Sequence, residues 1–140
     1  IEFSSPLVGN DHDDSVRDGR LPESSDDKAT VHRSWWPRKG TKEWARYGFP
    51  QPVELDFVRV YWFHDHPNGG CKVPASWTLS YRKDKQWHRV EPLGEYGLNK
   101  DVFNDLRFRP VRTDALRLEV QLQPGASAGI HEWRVQVMEN

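Results

Sequence analysis

Three groups of residues in this 140-residue chain have types and spacings that chemistry can use. In His64-Asp65-His66 the two imidazoles sit two positions apart, on one face of an extended segment, where they could chelate one ion. The residues that follow, Pro67-Asn68-Gly69-Gly70-Cys71, have turn chemistry and supply no further His or Glu to complete a metal centre. The expectation is therefore polar contact with a ligand from His64, Asp65, His66 and Asn68, set against a solvated loop tip. The second group is Trp35-Trp36, whose side chains point to opposite faces if the segment is extended. One can enter a core while the other reaches a loop surface, where an indole stacks on the flat C–H face of a sugar ring; the alternative is that both are structural. Trp62, at the end of a strand-like run beside the 64–74 loop, is kept as a further stacking candidate. The third group is basic: His32, Arg33, Arg38, Lys39 and Lys42 surround the indole pair. If His32 and Arg38 line the site, a carboxylate or sulfate is a suitable partner, because Arg pairs such groups through two parallel hydrogen bonds. A neutral sugar suits the same residues, and a solvated charged face is the plain alternative.

No catalytic set stands out. Cys71 lacks a nucleophile context, no pair of carboxylates is placed at glycosidase separation by the sequence, and no Gly-rich phosphate loop runs from strand to helix. Lys and Arg number 20 against 21 Asp and Glu, a balance that argues against nucleic acid or an anionic membrane as partner. No apolar run reaches the roughly 20 residues a membrane helix needs, so no membrane insertion is expected. A single cysteine forms no internal disulfide and is silent about export.

The elements that must position these residues are strands. Trp44 to Phe49 alternates apolar and polar residues, Pro50 and Pro52 bracket a turn, and Val53 to Phe63 reads as a longer strand rich in β-branched and aromatic residues. Trp77, Leu79 and Tyr81 share a face, and Lys83-Asp84-Lys85 turns the chain into Trp87 to Glu91, a hairpin. Phe103 to Arg109 is a strand closed by Pro110. Leu116, Leu118, Val120 and Leu122 alternate strictly with Arg117, Glu119 and Gln121. His131, Trp133, Val135 and Val137 alternate with Glu132, Arg134 and Gln136. Trp44, Trp77, Trp87 and Trp133, lying in strand patterns, are expected in the core. About seven strands without an amphipathic helix imply an all-β antiparallel sandwich or barrel. Loops 10–43, 64–75, 92–102 and 123–129 far exceed the roughly 2–5 residues of a hairpin connection, which suits a site built from loops.

The ordered set of motifs resembles the galactose-binding-like β-sandwich, a jelly-roll found in discoidin or coagulation-factor type C domains and family 32 carbohydrate-binding modules. Asp18-Gly19 matches the early Asp-Gly, Ser34-Trp35-Trp36 resembles the Thr-x-Trp that follows, and Glu43 to Phe49 looks like the Trp-x-x-x-Asp-Leu strand, with Gly48-Phe49 in place of Asp-Leu. Pro52 to Tyr61, Ser76 to Trp87, Phe108 to Val111, Ala115 to Leu118 and His131 to Val135 match the later strands in order, so the resemblance spans about residues 12–138. Trp35-Trp36, Tyr61-Trp62-Phe63 and Gly69-Gly70-Cys71 look like domains appended to bacterial glycoside hydrolases, including β-L-arabinofuranosidase-like enzymes.

The resemblance implies a non-catalytic module that binds an oligo- or polysaccharide and is covalently linked to a catalytic domain, in a secreted, periplasmic or cell-surface protein. The alternative is a structural accessory domain that packs on its catalytic neighbour without binding sugar. The resemblance also implies structural calcium, with Asp18, Ser25 and Glu132 as the expected ligands, although Ser24 and Ser34 compete with Ser25 and Arg20 stands where the family often has Asp or Asn. Residues 1–10 are expected to be a tag or linker remnant and 11–140 a single domain.

Overall fold

The computed structural model describes residues 1–5, 16–28, 30 and 32–138. They form β1 (Glu2–Phe3), β2 (Arg33–Ser34), β3 (Lys42–Phe63), β4 (Ser76–Lys83), β5 (Gln86–Arg89), β6 (Asn104–Gln121) and β7 (Gly129–Val137), with no α-helix among the described residues. Strand pairing is antiparallel throughout, in the order β2-β7-β3-β6-β4-β5, and β1 pairs with β3.

Two strands are longer than the sequence suggests. The expected turn at Pro50–Pro52 and the expected stop at Pro110 are both strand interruptions in name only: β3 and β6 run through them as one bent antiparallel pair, with the register shifting between Gly48 and Val53. Proline lacks a ladder donor, so it is tolerated at such an irregularity without ending the strand. The bend folds one continuous sheet into two layers. The first half of β3 and the second half of β6 join β4 and β5, while the second half of β3 and the first half of β6 join β7 and β2. Between the layers, Trp62 meets Trp77 with ring centroids 5.7 Å apart, and Tyr47 meets Trp133 at 5.6 Å. Leu55, Val58, Val60, Leu106, Phe108, Leu116, Leu118, Val120, Leu79 and Ile130 fill the rest of the core. The strict alternation of Leu116 to Leu122 is thus realised as one inward and one outward face.

The hairpin between β4 and β5 turns at Asp84-Lys85, both with positive φ (53° and 65°), while Lys83 pairs with Gln86. This is the mirror-image two-residue turn whose twist matches that of the flanking strands. The amino-terminal residues belong to the fold. Glu2 and Phe3 pair with Arg46 and Ala45, and Phe3 packs on Trp35 with centroids 5.2 Å apart. The expected boundary after residue 10 itself falls outside the described residues.

Candidate functional site

At one end of the sandwich β3 runs out at Phe63, and the chain enters a loop organised by Asp65. The Asp65 carboxylate accepts a hydrogen bond from the Cys71 backbone N–H at 2.9 Å, while the backbone N–H groups of Asp65 and His66 donate to the Cys71 carbonyl. Gly69 donates to the Asp65 carbonyl, closing the turn. A Cβ at Gly69 would lie 1.9 Å from the Asp65 carboxylate, so only glycine lets that buried side chain occupy the centre of the loop. An isolated bridge between Cys71 and Ser127 ties the loop to the segment leading into β7. His64 is likewise a framework residue. Its Nδ1 accepts from the Val73 N–H at 3.0 Å, and burial holds its pKa below the ordinary imidazole value.

The polar 16–28 segment is fastened over this end by Ser25. The Ser25 N–H donates to the Asp101 carboxylate at 2.7 Å and its hydroxyl accepts from the Asp101 N–H at 2.5 Å. Its carbonyl accepts from the His64 N–H at 2.9 Å and pairs with His131 Nε2 at 3.0 Å. Backbone and side-chain polar groups of Ser25 are therefore engaged with three different segments. Ser25, expected as a calcium ligand, thus serves as a clasp between loops.

Beyond β2 the indoles of Trp35 and Trp36 diverge as an extended pair must. Trp35 is buried in the core, its Nε1–H donating to the Trp44 carbonyl at 3.1 Å. Trp36 is half-buried and faces the 64–71 loop. Gly70 makes that approach possible: a Cβ there would meet the indole Cζ3 at 2.0 Å. The Lys39 ammonium stands 4.9 Å from the Trp36 ring centroid, so a positive charge accompanies the indole. Next to it, His32 stacks on Phe63 with centroids 3.7 Å apart and planes 7° from parallel. Lys28, largely exposed, sits 3.7 Å from the Asp65 carboxylate. Together Trp36, His32, Phe63, Lys28, Asp65 and Gly70 line an open cavity of about 360 Å³, within the usual range for small-ligand sites.

The expected site residues divide accordingly. Trp36, His32 and Asp65 come together at the cavity. Trp35 and Trp62 are fully buried and present no ring face to a ligand, because both indoles are consumed by core packing. Trp62 donates its Nε1–H to the Gly97 carbonyl, an acceptor it shares with Trp77. Arg38 turns away from the cavity and pairs with the buried Glu43 at 2.7 Å, with a further bond to the Ser4 carbonyl. His66 and Asn68 are exposed on the loop outside the cavity lining. Lys28, Phe63 and Gly70 were not singled out by sequence reasoning as ligand-facing. A Gly-Gly opposite a Trp was the available signal, but the pairing of distant loops that gives it meaning is tertiary.

The predicted alternation in β7 breaks at its start. Tyr61 pairs with Glu132 and Trp62 with Ile130, so His131 is the extra residue of a bulge. His131 consequently leaves the Trp133 face and joins Tyr61, Phe63 and His32 in edge-on ring contacts on the outer side of the layer. Burial holds its imidazole pKa down to about 4, and among the described residues Nδ1 has no hydrogen-bond partner. Glu132 is buried with Arg134 on Oε2 at 3.2 Å and, among the described residues, no hydrogen-bond partner on Oε1. Burial pushes its pKa up, and Asp18 nearby adds to the effect. An orphaned carboxylate oxygen beside a second carboxylate is a donor set that suits a hard cation. Three or more His, Cys, Asp or Glu side chains do not converge among the described residues, so backbone carbonyls would have to supply the remaining ligands.

No protein-family model matches the sequence. Solved structures do match the fold. A structure of the multifunctional β-galactosidase BgaA from Streptococcus pneumoniae superposes with a TM-score of 0.77 at 16% identity, covering 95% of this chain and 88% of that one. Chitosan-binding module 1 of a chitosanase/glucanase from Paenibacillus sp. IK-5 gives 0.69 at 13% identity, with 96% and 92% covered. The family 32 carbohydrate-binding module of NanJ from C. perfringens, solved with galactose, gives 0.68 at 15% identity, with 96% and 90% covered. The expected galactose-binding-like β-sandwich is therefore the fold of this chain.

Proposed function

We propose that the chain is a non-catalytic carbohydrate-binding module whose loop-end cavity receives a sugar against the Trp36 indole. The observation that carries this reading is the seating of a half-buried indole on Gly70, with Lys28, His32 and Asp65 at its margin. An aromatic face takes the C–H side of a pyranose or furanose ring, and the polar rim takes its hydroxyls. The matched modules that bind chitosan and galactose support the assignment, since this chain shares their architecture over nearly its whole length. A shallow site of this kind buries little area, so single-site affinity is weak after the cost of association is met. Linkage to a catalytic domain in an extracellular or cell-surface protein would make weak binding useful, because tethering raises the local substrate concentration. A structural calcium ion held by Glu132 and Asp18 belongs to the same reading; it would neutralise a buried carboxylate and anchor the 16–28 segment.

Glycan-array screening followed by titration calorimetry on the chain tests the assignment. Saturable binding to at least one plant, algal or animal glycan, lost in Trp36→Ala with the fold intact, is expected. Silence across the array argues for the structural accessory domain instead.

A further inference from the structure

The outer face of the β5-β4-β6-β3 layer is polar except at two places. Register puts its residues in rows: Lys42, Gln121 and Ser76; Trp44, Glu119 and Thr78; Arg46, Arg117, Ser80 and Arg89. Trp44, expected in the core, is instead half-buried on this outward face, because it alternates with the inward Glu43 and Ala45. Trp87, also expected in the core, is half-buried on the same face, covered by the Arg117 guanidinium at 4.5 Å from its centroid. Trp44 differs from the other six tryptophans. Among the described residues its indole has no hydrogen bond, no aromatic neighbour and no cation over it, and it is not sealed in the core. Beside it opens a groove of about 530 Å³ lined by Lys42, Ser76, Thr78, Arg89, Glu119 and Gln121. It lies on strands, away from the loop-end cavity, and shares no residue with it.

Charge selects the occupant. Arg46 pairs with Glu2, Arg82 with Asp114, and Arg117 with Glu119. Lys42 and Arg89, both exposed groove residues, have no ion-pair partner among the described residues. They stand on β3 and β5, three strand spacings apart across the sheet and two rows apart along it, which is roughly 20 Å on the diagonal at about 4.8 Å per strand and 3.4 Å per residue. An elongated ligand with negative charges spaced along it and apolar ring faces between them satisfies both cations and the free indole. A monosaccharide is too short to do so.

We propose that this groove is a second glycan site, specific for an acidic oligosaccharide lying obliquely across the strands, with Trp44 as its stacking platform and Lys42 and Arg89 as its carboxylate contacts. The site stands independently of the loop-end cavity. Rigid strands fix the backbone positions of its residues, which lowers the ordering cost of binding.

Titration of the isotopically labelled chain with tetragalacturonate, tetramannuronate and a glucuronate-containing tetrasaccharide, followed through amide and indole resonances, decides the matter. At least one of them is expected to shift the Trp44 indole signal together with the Lys42, Thr78 and Gln121 amides. Raising the salt from 50 to 500 mM is expected to weaken that binding at least fivefold, since exposed charges are screened. Lys42→Ala/Arg89→Ala, both at exposed positions, should weaken it at least tenfold, and Trp44→Ala likewise, while Trp36→Ala leaves it unchanged. A Trp44 signal unmoved by all three acids overturns the proposal. So does an equal response to cellotetraose or galactotetraose, or loss of the Trp44 response in Trp36→Ala. None of these results bears on the loop-end cavity, whose reporter is Trp36.

Discussion

Gly70→Ala is the smallest change that separates the fold from the loop-end site. The Gly70 backbone is outside the left-handed region, so alanine brings no backbone strain there. Its whole effect is steric. The new methyl would stand 2.0 Å from Trp36 Cζ3, and ordinary contact begins near 3.4 Å, so the indole must retreat by about 1.4 Å or swing out. Overpacking a closed core costs about 1–3 kcal/mol. Trp36 is only half-buried and has solvent to move into, so a stability loss below about 1 kcal/mol is expected. Binding should suffer more, because the ring is the central aromatic contact. Displacing such an anchor costs about 2 kcal/mol, or roughly a 30-fold rise in Kd. Urea unfolding measures the first quantity, calorimetry with the best array ligand the second, and the Trp36 indole resonance reports whether the ring has moved. A variant that shifts this resonance yet binds within twofold of the wild type refutes Trp36 as the stacking platform. An unshifted resonance refutes the close seating.

Trp62→Ala should cost about 3–5 kcal/mol in stability, as expected for emptying a large core position, whereas Trp36→Ala should cost less than about 1 kcal/mol; thermal or urea melts distinguish them. Burial holds His131 at about 4 against an ordinary 6.5, so below pH 6.5 the unfolded chain takes up a proton that the native chain refuses. Stability from this group is therefore lost as pH falls, by about 2 kcal/mol between pH 7 and 5. Glu132, its pKa raised by burial, acts with the opposite sign, so the measurement is the difference between wild-type and His131→Gln curves in chelator. Parallel curves would contradict the neutral buried imidazole. If Glu132 and Asp18 hold calcium, a chelator should lower the melting temperature of the wild type and leave Glu132→Gln unaffected, because an ion bound only by the native state stabilises it.

Much of the fold was legible in the residues. The period of two from Leu116 to Val120 sorts inward from outward positions correctly, and it does so because side chains on a strand alternate whatever the partner. The same rule, applied to Trp35-Trp36, separates one core indole from one loop indole. It did not assign Trp44, since alternation gives two faces without saying which is covered. The Asp84-Lys85 hairpin and the long loops at one end were also accessible, because turn conformations depend on local chemistry.

Other features needed the tertiary structure. Two expected strand breaks, at Pro50–Pro52 and Pro110, are bends in a continuous pair, because neighbouring strands hold the ladder where proline alone would end it. The one-residue slip at His131 moves an imidazole to the other face and leaves Glu132 with an orphaned oxygen; its cause is the pairing with Tyr61 and Trp62, remote in sequence.

Residue types and spacing determined that this chain is an antiparallel strand protein with long aromatic and polar loops, and the motif resemblance narrowed sandwich or barrel to a sandwich. Only the packed chain decided which indoles face solvent, that Arg38 turns to Glu43, and that Gly70 lies beneath Trp36. An indole's large apolar area is equally suited to a core and to a stacking platform, and the segments that come to cover it or leave it bare are distant along the chain.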